Sequence, residues 1–193
     1  MPHRIVNMLL LGCALSAWGT GAMAAPPGEP RFALSVERVD GAEGGKVYRI
    51  ASNGTVAAAP AVVWRILTDY RQLADYLPNM KSTRVLSRNG DRIIVEQLGA
   101  ARFLFFRQDI RLVVQVHERP PDRIDISLVD GDMKVYRASW ELIPLPGGAG
   151  TRLVYNATIE PKFDVPGIVG VGAVRTDIAE MMRAVYLRLD RQE

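Results

Sequence analysis

The side chains able to do chemistry are few, and their spacing narrows what that chemistry is. The single cysteine, Cys13, and one of the two histidines, His3, lie within the first 13 residues. Beyond them there is no thiol, which excludes a thiol nucleophile, a thiolate metal site and a redox pair. One imidazole remains, His117. It cannot build a multi-histidine metal site, although it would suffice for a triad. It also directly precedes Glu118-Arg119-Pro120-Pro121, a turn signature that suits a surface histidine equally well. Gly167-Ile168-Val169-Gly170-Val171-Gly172 has the glycines of a phosphate loop. Their order differs from the dinucleotide fingerprint, no lysine follows, and no βαβ pattern surrounds them, so nucleotide binding is rejected there.

Two polar residues sit within apolar patterns. Glu96 is a candidate general acid or base if it faces inward with Ile94 and Leu98. The opposite phase, Ile93, Val95 and Gln97, fits as well and would leave Glu96 in solvent. Gln108 falls on the apolar phase of its segment, so it points inward or marks a bulge. A buried amide without a partner costs about 1–3 kcal/mol. An inward Gln108 therefore requires a partner: the hydroxyl of Tyr136 or Tyr155, or a ligand.

Charge and targeting come next. The chain has 193 residues, with 24 basic and 21 acidic side chains. The arginines are scattered, and the dense positive stripe that nucleic-acid binding requires is not seen. Residues 1–24 read as a signal peptide. MPHR supplies a short positive start, an uncharged apolar stretch follows, and Ala22-Met23-Ala24 presents small residues where a signal peptidase reads. Residues 25–31 then read as a proline-rich tether, and residues 32–193 as one domain. Export to the periplasm, or secretion, is the expectation. A variant is lipidation at Cys13, because Leu10-Leu11-Gly12-Cys13 loosely matches a lipoprotein box.

The elements that must position these residues follow from periodicity. Phe32 to Val39 and Lys46 to Ala57 read as strands. Pro60 opens a helix carrying Val62, Val63, Ile66 and Leu67, and a second short helix spans Arg71 to Tyr76. From Lys81 the period becomes two. Arg92 to Leu98 and Phe103 to His117 read as separate strands, the second one long, in a meander counted as five strands with turns at Asn89-Gly90-Asp91, Pro120-Pro121-Asp122, Asp130-Gly131-Asp132 and Pro146-Gly147-Gly148. One face is apolar and the other wet. From Pro166 onward Ile168, Val171, Val174, Ile178, Met181, Met182, Val185 and Leu189 form one face of a long amphipathic helix. The simplest packing lays that face on the apolar side of a curved sheet. Gly167, Gly170 and Gly172 lower helix propensity at its start, through close packing, a turn, or a loosened gate.

The order and several local motifs resemble the START-like (SRPBCC) superfamily, and within it the coenzyme Q-binding/polyketide-cyclase branch. The matching residues are Ala59-Pro60-Ala61-Val62-Val63-Trp64, Leu67-Thr68-Asp69-Tyr70, Leu77-Pro78-Asn79-Met80, Ser82-Thr83-Arg84-Val85-Leu86, Gly131-Asp132-Met133, Trp140-Glu141-Leu142, Gly150-Thr151-Arg152-Leu153-Val154-Tyr155 and Glu160-Pro161. The resemblance implies an α+β helix-grip (START/Bet v 1-like) fold, a curved antiparallel sheet wrapped around the C-terminal helix with a cavity between them. It implies an apolar or amphipathic ligand such as a lipid, quinone or polyketide; separately, no cofactor and no metal are expected.

Three functions compete. In the first the domain is a non-enzymatic carrier or sensor, with Phe106, Gln108, Tyr136, Trp140, Tyr155, Ile178, Met181, Met182 and Val185 as ligand-binding candidates. Methionines adapt to irregular ligands. Burying about 300 Å² of apolar ligand surface yields roughly 7 kcal/mol before association costs. In the second it is a cyclase or dehydratase that uses Glu96. In the third it is an envelope interaction module whose interior is solid. A hydrophobic small molecule or lipid is the expected partner. A lipid ligand would bring peripheral membrane contact, while oligomeric state is not specified by any residue pattern.

Overall fold

The computed structural model describes residues 32–41, 44–102, 107–163, 165 and 170–191. Residues 1–31, to which the expected signal peptide and tether belong, and Phe106 and Gly167 lie outside the described residues. Eight antiparallel strands form one sheet: β1 (Phe32–Asp40), β2 (Lys46–Val56), β3 (Met80–Asn89), β4 (Arg92–Arg102), β5 (Arg107–Arg119), β6 (Arg123–Gly131), β7 (Met133–Pro144) and β8 (Thr151–Pro161). Their order is β1-β2-β8-β7-β6-β5-β4-β3, so β2 closes onto the end of the meander. Between β2 and β3 stand α1 (Pro60–Leu67) and the single turn α2 (Leu73–Tyr76), and α3 (Gly170–Asp190) ends the chain. Proline at the start of α1 costs no hydrogen bond there, and Thr68 stops the helix by returning its N–H to the Trp64 carbonyl.

The meander has six strands rather than five. β4 runs on past Leu98 to Arg102, which pairs with Arg107, so the expected long strand opens at Arg107 rather than at Phe103. Register shifts at Met80/Ser82, Val85/Ser87, Val113/Val114 and Met133/Val135 bend the sheet. The shift in β5 coincides with three consecutive buried residues, Leu112, Val113 and Val114, where strict alternation allows two at most.

The 21 residues of α3 span about 31 Å and lie along the inner face of the sheet. Its second half contributes Met182, Val185, Tyr186 and Leu189 to a continuous core with α1 and the central strands. Phe32 of β1 and Tyr186 set their rings 5.3 Å apart. Helix α1 adds Val63, Ile66 and Leu67 to the same end of the molecule. At the start of α3, close packing explains Gly170. A Cβ there would lie 2.5 Å from the Tyr48 hydroxyl, whereas one on Gly172 would meet nothing within 4 Å.

Candidate functional site

Under the first half of α3 the inner face is not filled. A cavity of about 230 Å³ lies there. The sheet supplies Gln97, Ile110, Leu112, Met133, Tyr136 and Ile159. The roof is Val174, Asp177, Ile178 and Met181 of α3, and Phe163 and Val165 close the side after β8. Lys46 holds that last segment by donating from Nζ to the Val165 carbonyl at 3.0 Å. Leu77, Pro78, Asn79 and Met80 form the remaining wall, and the exposed Pro78 and Leu98 mark the mouth.

The wall at Asn79 is built by backbone geometry. Asn79 sits in the left-handed region at φ 63°, a conformation that asparagine tolerates better than most residues. Its carbonyl accepts the Ala100 N–H at 2.9 Å. A Cβ on Gly99 would come within 2.7 Å of the same carbonyl oxygen, so glycine is needed for the turn to close on β4. The side-chain Nδ2 donates across to Asp177 Oδ1 at 3.4 Å and Glu180 Oε2 at 3.5 Å on α3. Asn79 Oδ1 is buried and has no partner among the described residues.

The expected ligand contacts divide. Tyr136, Ile178 and Met181 line the cavity. Trp140, Tyr155, Met182 and Val185 do not. They belong to the packed core, where Trp140 and Tyr155 hold their rings 4.6 Å apart. Phe106 lies outside the described residues. Gln108 is half-buried off the cavity wall, and its Nε2 donates to the Asp109 carbonyl at 2.9 Å. The expected Gln108–tyrosine contact is replaced by one between tyrosines. Tyr136 and Tyr155 share a hydrogen bond, and burial raises both phenols above their ordinary range.

The inward amide is Gln97, which sequence reasoning placed on the alternative phase of β4. Ile93 and Val95 are fully buried on that phase. Glu96 consequently faces outward, where Arg84 donates to it at 2.8 Å and Arg111 at 3.0 Å. Those two guanidinium hydrogen bonds hold its carboxyl below the usual carboxylate range. A general base within the cavity is therefore not Glu96. His117 lies on the surface, with Nε2 2.8 Å from Asp91 Oδ2, toward the end of β5 remote from Ile110. The Leu77–Met80 turn, quoted above for its resemblance, was not singled out as a wall of the site, nor were Gln97 and Asp177. The signal that could have found the turn is its left-handed asparagine beside a strand glycine.

Comparison with known proteins agrees with this architecture. A solved START superfamily protein from Mycobacterium smegmatis superposes with a TM-score of 0.65 at 18% identity, covering 75% of this chain and 99% of that one. The Zhui aromatase/cyclase from Streptomyces sp. R1128 gives 0.63 at 15% identity, with 76% and 95% covered. A STAR-related lipid transfer protein fragment from Xanthomonas axonopodis gives 0.59 at 18% identity, with 80% and 98% covered. A sequence search of curated proteins returned no match. The family model for polyketide cyclase/dehydrase and lipid transport matches residues 56–185. These residues span α1 to most of α3 and include every described wall of the cavity, and the chain belongs to that family.

Proposed function

We propose that this chain is an exported, non-catalytic carrier or sensor of a compact apolar or amphipathic molecule, held beneath the first half of α3. The observation that carries this reading is the cavity itself, whose walls are almost entirely aliphatic, aromatic or methionine side chains. Binding sites are mostly apolar with a few polar anchors, and here the anchors are Asn79, Gln97, Tyr136 and Asp177. The volume is below the roughly 300–1,000 Å³ of drug-sized sites. At roughly 30 Å³ each it accommodates about eight water-sized groups. A small ring system, or one end of a longer lipid, quinone or polyketide-like molecule, matches that space.

Export is supported by the charged start, apolar stretch and small-residue site of residues 1–24. Against the enzymatic alternative stands the outward position of Glu96. Against the interaction-module alternative stands the unfilled space under α3. The test is native mass spectrometry of protein purified from its own host, followed by extraction and mass identification of what is released. A bound apolar species is expected, and Val174→Phe, which fills the roof, should lower its occupancy at least tenfold. Protein that carries nothing, and takes up no lipid or quinone added afterwards, would falsify the reading.

A further inference from the structure

The polar side chains that line the cavity are not equally free. Asn79 directs its Nδ2 at Asp177 and Glu180, and its Oδ1 is buried out of a ligand's reach. Asp177 is engaged by that same amide. The Tyr136 hydroxyl is shared with Tyr155. Gln97 is different. It is half-buried on the cavity wall, and its side chain has no hydrogen-bond partner among the described residues. Its lateral neighbours on the inner face are Thr83 of β3 and Leu112 of β5. Leu112 brings no polar side-chain atom, and the Thr83 hydroxyl already donates to the Tyr70 carbonyl at 2.6 Å. The buried polar atoms that lack a partner belong to Tyr48, Ser52, Tyr76 and Asn79, and none belongs to Gln97. Its amide oxygen and nitrogen therefore keep accessible surface, and both open onto an otherwise apolar space.

From this asymmetry we infer that Gln97 is the specificity-determining residue of the cavity and reads a single carbonyl or hydroxyl on an otherwise apolar ligand. The inference rests on the carrier reading above and deepens it, naming the residue that discriminates and the group it recognises. Solvent satisfies an accessible amide before a ligand enters. A pure hydrocarbon that expels that solvent leaves the amide unpaired, which is costly, whereas a carbonyl or hydroxyl restores the bond. Glutamine both donates and accepts, so either group finds its partner. The amide is also well placed to discriminate, because β4 is paired on both sides at this position and a strand presents a side chain more rigidly than a loop does.

Three probes that share a ring and a two-carbon side chain test the assignment: acetophenone, 1-phenylethanol and ethylbenzene, titrated calorimetrically into the full-length chain. Gln97→Leu and Gln97→Met are the variants that lack the amide. Either should weaken acetophenone and 1-phenylethanol by about tenfold or more, and leave ethylbenzene unchanged or tighter. Tyr136→Phe, which removes a hydroxyl already hydrogen-bonded within the protein, should weaken the two polar probes by less. Both Gln97 variants should unfold at urea midpoints no lower than that of the unaltered protein, since no internal hydrogen bond is lost. An equal effect on all three probes, or no effect on the polar pair, overturns the inference and leaves the carrier reading in place. A larger loss in Tyr136→Phe than in Gln97→Leu also overturns it. If none of the three probes binds the unaltered protein, the carrier reading fails with it.

Discussion

One helix covers two different interiors. Beneath the second half of α3, Met182, Val185, Tyr186 and Leu189 interlock with α1 and the central strands, and Leu189 is wholly buried. Beneath the first half, Val174, Ile178 and Met181 face open space. The sheet and the helix continue through both regions, so the difference comes from what else packs there. Helix α1 brings Val63, Ile66 and Leu67 to the solid end. At the hollow end the corresponding side is closed by the Leu77–Met80 turn and the segment after β8, which line a space without filling it. Tertiary stability is therefore concentrated at one end and binding capacity at the other.

Adjacent methionines give the strongest test of that division. Met182 is 1% exposed in the solid core, and its truncation to alanine should cost about 2–5 kcal/mol. Met181→Ala removes atoms that already border a void, and should cost less than about 1 kcal/mol while altering ligand affinity. Urea midpoints at unchanged m-value measure both. Equal losses would mean that the first half of α3 is as tightly supported as the second.

The glycines at the start of α3 give a smaller contrast. Gly170→Ala pushes a methyl onto the Tyr48 hydroxyl and should destabilise by about 1–3 kcal/mol, with partial rescue by Tyr48→Phe. Gly172→Ala enters open space and should stabilise by up to about 1 kcal/mol through helix propensity. Thermal or urea unfolding of the three variants separates these outcomes.

Alkaline titration of a Tyr186 variant beside the unaltered protein isolates one residue of the solid end. Burial pushes the Tyr186 phenol up to about 12, whereas an unfolded tyrosine titrates near 10.0. Between those pH values the unfolded chain releases a proton that the folded chain retains. Its contribution is present below pH 10 and is lost as pH rises, by up to about 1.4 kcal/mol per pH unit. Tyr186→Phe should flatten the fall in stability over that interval by this amount. The smallest expected effect is at Glu96→Gln, which should leave ligand affinity unchanged in a binding titration. A clear loss would place that carboxylate in the site after all.

Much of the fold was legible because period two and period 3.6 leave different marks. Strands β1 and β2, both early helices and the long helix stand where the pattern put them, to within a few residues. The break between β4 and β5 stands a few residues later than the Leu98–Phe103 gap that the pattern shows, for a physical reason. Gly99-Ala100-Ala101-Arg102 interrupts the apolar alternation, yet it continues the ladder, with Gly99 paired to Ile110 and Arg102 to Arg107. The phase of β4 was ambiguous because Ile94 and Leu98 are as apolar as Ile93 and Val95, and only pairing with β3 and β5 orients them. Site residues were legible as a face but not as a position along it. Trp140 and Tyr155 share the inward phase with Tyr136 and Ile159, yet alternation says nothing about which end of a strand faces the cavity. That distinction depends on α1, whose placement is a tertiary fact.

The contact between Tyr48 and Gly170 has a mechanical consequence. It blocks the first residue of α3 from moving toward β2 and so makes that end a pivot. Asp177 lies seven residues further on, a lever arm of about 10 Å. A tilt of about 5° about the pivot would displace Asp177 by about 1 Å. The Asn79 contacts, at 3.4 Å and 3.5 Å, are already at the limit of hydrogen bonding and would be released by that displacement. The same tilt would carry Leu189, about 28 Å from the pivot, nearly three times as far, so the packed second half of the helix resists the motion and holds the mouth in place.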